Sequence, residues 1–310
     1  MIIRILASIG CMILCFHSVI DCIEYEQYQS TYFVNRWAFQ NLCDFVFDPR
    51  KIWPTDTARA TTFEPRDVKS GNMIFVRDAH QFFKKMHDAI EVPYFIMTHG
   101  EYLDKFIPTY FKYLNDSKIL GWFTIHPCSA AHERVFALPL GVIQYKDLCL
   151  NYESTHKLFK RLREDNKPGL LYMNFTDWCN PGRKKIRHLF LDKPFCKSAG
   201  VTHFGPYISE LSKYKFVISP PGLGPDCYRV WESLLVGTIP IVQRSHIDGL
   251  YDGFPVLFID TWEEVTESFL QKKYKEITAR RYSCEKLYMD YWIKFIQKTR
   301  KLCVDRYKRL

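Results

Sequence analysis

The stretch KFVISPPGLGPDCYRVWESLLVGTIPIV, residues 215–242, narrows the choice of fold more than any other part of the chain. It opens on an apolar run of strand length (215–219) and turns through Pro220-Pro221-Gly222-Leu223-Gly224-Pro225. A helical pattern follows over 226–236, closed by Gly237, and a second apolar run occupies 239–243. Two buried strands with a helix between them make a right-handed crossover in a parallel sheet, because a tight hairpin has no room for the helix.

The rest of the chain repeats that alternation. Strands are expected at 73–76, 92–98, 119–125 and 135–142, the last carrying Pro139 and so placed at an edge or crossing. Helices are expected at 78–90 and 101–114. A charged helical stretch ends at Asn166-Lys167-Pro168-Gly169, and a second series begins there. It runs strand 170–175, helix 181–191, strand 201–204, helix 206–213, the unit above, strand 256–259, and helices 261–279 and 284–307. The pattern predicts an α/β protein of two Rossmann-like domains, 23–167 and 168–310, each on a doubly wound parallel sheet, with the terminal helix packing back. A chain of 310 residues, 47% apolar and 16% aromatic, can fill two such cores.

Residues 1–22 carry a different signal. Arg4 precedes an apolar run over 5–20, and Asp21, Glu24 and Glu26 follow it. A positive flank, an apolar stretch and an acidic far side read as a signal peptide or an uncleaved signal-anchor, which places the remainder in the lumen of the endoplasmic reticulum or Golgi, or outside the cell. The sequons Asn115-Asp116-Ser117 and Asn174-Phe175-Thr176 agree with that address. So do eleven cysteines, eight of them beyond Cys22, some of which should pair there. No pair has the CxxC spacing of a structural zinc site, and the spacing of His126, Cys128 and His132 matches no zinc pattern. The net charge of +9 is spread over the chain, densest at 157–163, 183–187 and 298–309. Diffuse basicity of this kind suits a nucleotide diphosphate, an anionic glycan or a membrane surface, and the export signals argue against nucleic acid.

Open parallel sheets bind ligands beyond the carboxyl ends of their strands. That rule selects His99-Gly100 in the first half and 219–226 in the second. Gly222 and Gly224 let a ligand approach the backbone of the second turn, and the helix start behind it offers free N–H groups to a diphosphate. Asp226 is expected to cap that helix. At helical spacing Asp226, Arg229, Glu232 and Ser233 share one stripe, opposite Cys227, Val230, Trp231, Leu234 and Leu235. Arg229 has the planar donors that match phosphate oxygens, and Glu232 could accept two ribose hydroxyls. The same spacing equally describes a solvated face with local ion pairs.

Residues 215–242 resemble the signature segment of exostosin-like glycosyltransferases of the GT-B fold: an apolar strand, Ser-Pro, a Gly-x-Gly turn, then Asp, Arg and Glu at fixed steps, and an IPIV strand. Residues 255–264 (PVLFIDTWEE) continue in register, and 94–100, 137–142 and 287–296 are similar at lower specificity. The resemblance implies two domains facing across a cleft and a UDP- or GDP-sugar donor, with the sugar passed to a hydroxyl of a glycan or glycoprotein. It implies that Ser219, Gly222, Gly224, Asp226, Arg229 and Glu232 line the donor site. It also implies an inverting transfer without a resident metal or other cofactor, and Asp-x-Asp does not occur in the sequence. Leu223 stands where many relatives carry Asn, so any side-chain contact made there is lost.

Further candidates come from strand ends. His99 is the expected catalytic base, since imidazole suits proton transfer near neutral pH. Arg183 is a candidate second phosphate ligand, with a solvated helix cation as the alternative. Asp78 and Asp177 occupy similar ends, Asp177 in the position of a helix cap. Two other functions stay open. An oxidoreductase is disfavoured by the lack of GxGxxG with an acidic residue about 20 positions on, and an inactive, secreted glycan-binding relative would keep the fold without the chemistry.

Overall fold

The expected alternation resolves into two five-stranded sheets, each parallel throughout, in the computed structural model, which describes residues 23–24, 32–49, 63–100, 104–127, 132–143 and 152–309. The first sheet contains β2 (Phe45–Phe47), β3 (Met73–Val76), β4 (Tyr94–Thr98), β5 (Ile119–Thr124) and β6 (Val135–Ala137), side by side in chain order. The second contains β7 (Gly169–Met173), β8 (Cys196–Ser198), β9 (Tyr214–Ile218), β10 (Ile239–Gln243) and β11 (Leu257–Ile259), in the order β11-β10-β9-β7-β8. A short parallel pair, β1 (Ile23–Glu24) with β12 (Tyr282–Ser283), links the two ends of the described chain.

Strand order decides how each sheet is covered. Right-handed crossovers between strands in sequential order all fall on one face. On that face of the first sheet Ile74, Val76, Tyr94, Ile96 and Trp122 pack with Phe82, Phe83 and Leu114 from the connecting segments. The other face, Met73, Phe75, Phe95, Met97 and Phe123, joins the core that runs on through the second sheet. Its cover comes from outside the crossovers: α1 (Arg36–Gln40) with Phe39, and the terminal helix α8 (Met289–Tyr307) with Trp292 and Ile296. The doubly wound sheet expected in both halves is therefore present only in the second. There β7 lies between β8 and β9, so the chain crosses back over β7 and the connections reach both faces. The crossing leaves a crevice between the carboxyl ends of β7 and β9.

Local outcomes follow the chemistry of a few residues. Asp78 caps α2 (Ala79–Lys85), its carboxylate accepting from the Gln81 N–H at 3.0 Å. The helix expected at 101–114 is a 3-10 helix over Asp104–Asn115; Pro108 inside it has no N–H for an α-helical ladder. The strand expected at 201–204 is absent. β8 pairs earlier, Cys196 to Ser198 against Leu171 to Met173, and α5 (Phe204–Leu211) takes up Pro206 in its first turn. Pro139 does end its strand: β6 stops at Ala137, at the sheet edge.

Among the described residues no helix is long and apolar enough to cross a membrane, and the expected signal-anchor at 1–22 lies outside them. Among the described residues Cys43, Cys179, Cys196, Cys227 and Cys303 form no disulfide, and Cys128 and Cys149, also candidates for the expected pairing, lie outside them. The two sequons differ sharply. Asn115 is exposed at a helix end. Asn174 is buried, and its amide donates to Tyr172 Oη at 3.2 Å and the Gly200 carbonyl at 2.9 Å.

Candidate functional site: the crevice of the second sheet

β7 and β9 end side by side, so the segments that follow them, 174–181 and 219–227, face each other. Between them lies the side chain of Arg183, from the first turn of α4 (Gly182–Phe190). Its Nε donates to the Pro221 carbonyl at 2.9 Å, Nη1 to Thr176 at 3.0 Å and Nη2 to Pro220 at 3.0 Å. Arg183 is buried. It is not a solvated cation: three of its five N–H donors fasten the Gly-rich turn to the end of β7, a structural tie in place of the expected phosphate contact. Asn180 adds Nδ2 to the carbonyls of Pro221 (3.2 Å) and Gly222 (3.3 Å). A Cβ on Gly222 would sit 3.2 Å from Arg183 Nη2 and 3.9 Å from Cys179 Sγ, so this glycine lets the clamp close.

The other end of the turn meets the first domain. A Cβ on Gly224 would run into Cε1 and Nδ1 of His126, which follows β5. His246 Nε2 reaches the Pro127 carbonyl at 2.8 Å, a second tie across the same seam. The carboxyl edges of both sheets thus converge on Gly224.

Asp226 does not cap the next helix, α6 (Tyr228–Leu235). The cap position belongs to Cys227, which makes no side-chain capping bond. The buried Asp226 carboxylate instead accepts from the N–H of Leu140 (2.8 Å) and Cys227 (2.8 Å), Trp231 Nε1 (2.9 Å) and Tyr251 Oη (2.7 Å). Burial raises its pKa and these donors pull it back. Its place in the structure is a tie between the turn and the segment after β6.

Glu232 and Ser233 are buried, so the stripe is not a solvated face. Glu232 accepts from Tyr207 Oη at 2.9 Å and from the Ile143 N–H. Burial raises its pKa, and Arg229, Tyr207 and Ile143 oppose that shift. With 4% of its surface exposed, it balances part of the Arg229 charge inside the fold and leaves little surface for the expected ribose. Arg229 is half-buried and its Nε has no hydrogen-bond partner. Burial works against its charge, but the acidic groups of Tyr207, Cys227 and Glu232 outweigh it and hold its pKa above the ordinary value. Its guanidinium lies 5.9 Å from the Phe175 ring, which Arg183 (5.7 Å) and Arg187 (4.9 Å) also approach.

Asp177 pairs with Arg187 at 3.1 Å, which lowers its carboxyl pKa, and it caps nothing: α4 has Pro181 at the cap position. Arg187 also donates to the Phe175 carbonyl. Three guanidiniums therefore gather here against two carboxylates, Asp177 and Glu232. Ser219, at the end of β9, adds a buried hydroxyl without a partner. Unsatisfied buried donors beside surplus positive charge are what an anion would complete.

His99 is elsewhere. It is 1% exposed at the end of β4, beside Phe39 at 5.3 Å. Nε2 donates to the Pro139 carbonyl at 3.0 Å and Nδ1 is enclosed without a partner. Burial pushes its pKa down to about 3. A sealed imidazole of that kind faces no acceptor. The sequence reading missed the end of β5, which the same strand-end rule would also reach, and which lies against the turn. His126 there is half-buried, and burial lowers its pKa to about 4. Its neighbours Cys128 and His132 drew attention to metal binding and away from its position.

No family model and no curated protein matches the chain. Among solved structures, a crystal structure of an α1,3-fucosyltransferase with GDP-fucose superposes over 76% of this chain and 79% of its own, with a TM-score of 0.43 and 12% identity. At that level nothing about site or substrate transfers from one chain to the other.

Proposed function

We propose that the chain is a glycosyltransferase that uses a nucleoside-diphosphate sugar, with the diphosphate held at the crevice between β7 and β9. The observation that carries this reading is the unpartnered Nε of Arg229, in the first turn of the helix behind a Gly-rich turn, in a cluster with more cations than acids. The resemblance of 215–242 to the exostosin-like signature supports the same assignment. Arg229 neutralises the leaving diphosphate, while Glu232 and Tyr207 hold it in place. Arg183 and Asp226 act on the ligand only through the turn they fix.

In the transfer an acceptor hydroxyl oxygen bonds to the anomeric carbon as the bond from that carbon to the diphosphate oxygen breaks. The electron pair leaves with the diphosphate and the hydroxyl proton passes to a base. His126 replaces His99 in that role: its ring lies against the turn, and a bound dianion nearby raises an imidazole pKa that burial alone depresses. The acceptor is a glycan or glycoprotein hydroxyl, the transfer inverts, and Arg229 supplies the charge that a metal supplies in other transferases. The lumenal address rests on residues 1–22.

The test is nucleotide release by the full chain from a panel of UDP- and GDP-sugars, beside Arg229→Lys. Release from one donor, lowered about 100-fold by the substitution with folding intact, is the expected result. No turnover and no thermal shift with any donor would replace the enzyme with a glycan-binding relative.

A further inference from the structure

Two residues at the mouth of the crevice are more exposed than their chemistry favours. Trp178 is 75% exposed, and Leu223 is 39% exposed between the two glycines. They belong to two segments that meet: Asn180 Nδ2 donates to the Pro221 and Gly222 carbonyls, and Cys179 Sγ packs 3.9 Å from the position a Gly222 Cβ would take. A single exposed apolar residue is ordinary on a protein surface, but an indole on a segment that borders the crevice offers a rigid, flat face with an apolar body to whatever enters it.

The turn itself has two ends, and they face different partners. The Gly224 end meets His126 of the first domain, and the Gly222 end meets Arg183 and Cys179 of the second. A ligand gripped between them by Arg229 has one end toward His126 and the other toward Trp178. On the reading above, the sugar must point at His126, where an acceptor can reach it. The remaining end carries the nucleobase, a flat π-system next to a solvent-facing indole.

We infer that Trp178 is the stacking platform for the donor's nucleobase, with Leu223 as the apolar rim beside it. This rests on the proposed donor site and adds a residue that contacts a different part of the ligand. Stacking reads the presence of a planar base more than its hydrogen-bonding edge, so Trp178 supplies affinity for nucleoside diphosphates as a class. It also accounts for an apolar residue at 223: a polar side chain there would compete with the ring for water instead of covering it.

The experiment measures binding of UDP, GDP and inorganic pyrophosphate to the full chain by calorimetry, with Trp178→Ala, Trp178→Tyr and Arg229→Ala. Trp178→Ala should weaken the better nucleotide by about 5- to 150-fold, the worth of one base–aromatic stack, and leave pyrophosphate unchanged. Trp178→Tyr should restore most of the loss, and Arg229→Ala should weaken nucleotide and pyrophosphate alike. Unchanged nucleotide binding in Trp178→Ala would overturn the inference while the donor site stands. Equal losses of nucleotide and pyrophosphate in Trp178→Ala would make the indole a structural residue and overturn it too. If neither nucleotide nor pyrophosphate binds the unaltered chain, the donor site itself is wrong.

Discussion

The two sheets have the same number of strands and the same parallel pairing, yet only one of them opens a crevice between its own strand ends. In the first, strands follow in chain order, every crossover covers the same face, and no pair of adjacent strand ends is left uncrossed. The cost is a bare second face, closed by a helix from the far end of the chain. In the second, one reversal of order covers both faces and parts two loops at the carboxyl edge. Strand order, not strand composition, separates a scaffold that needs help from one that carries its own crevice. The first domain meets the turn just past the end of β5, where His126 lies against Gly224.

The comparison can be broken most forcefully at the borrowed helix. Trp292 packs edge-on against Phe39 and Phe295, and its Nε1 donates to the Lys286 carbonyl at 2.9 Å. Trp292→Ala should cost about 3–5 kcal/mol in urea unfolding, as large-to-small core changes do. If the first sheet is held by this helix, hydrogen exchange should rise first in β3 to β5 and leave β9 and β10 protected. Equal loss in both sheets would mean that the covered face is a shared core with no separate dependence.

A smaller effect is expected where the second sheet is clamped. Arg183→Met keeps the apolar stem but strands the carbonyls of Thr176, Pro220 and Pro221. Water can reach some of them, so a loss of about 2–4 kcal/mol is expected, with the turn, residues 219–226, the first segment to exchange amide hydrogens. Smaller again is Gly224→Ala, whose new methyl must displace His126, at about 1–3 kcal/mol by thermal melting. Gly200→Ala, with nothing within 4 Å, should stay within about 0.5 kcal/mol. If the two alanines behave alike, His126 is not wedged against the turn, and the seam between the domains is looser than described.

Much of this architecture was legible in the sequence because buried parallel strands announce themselves as unbroken apolar runs. β3 and β10 fall at 73–76 and 239–243, where those runs do. Strand order was not legible, since right-handed crossovers are compatible with either winding and the covering helix arrives from a distant part of the chain. The turn was legible for its glycines, but what each glycine makes room for was not. Gly222 accommodates Arg183 and Gly224 accommodates His126, and neither neighbour is near in sequence. Helical spacing put Asp226 in line with Arg229 and Glu232. It could not show that Asp226 precedes the helix and turns inward to Tyr251 and Leu140. His99 and His126 both follow apolar strands, and only tertiary packing distinguishes the sealed ring from the one at the seam.

The buried amide of Asn174 sets a clock on any chain made at a membrane-bound ribosome. Oligosaccharide transfer to that sequon happens on an extended polypeptide, and a sugar attached there has to fit where the amide now packs against Tyr172 and Gly200. Sugar attachment and the burial of this side chain are thus rivals for one nitrogen. Asn115, at the surface, is under no such race and can carry a glycan in the finished molecule.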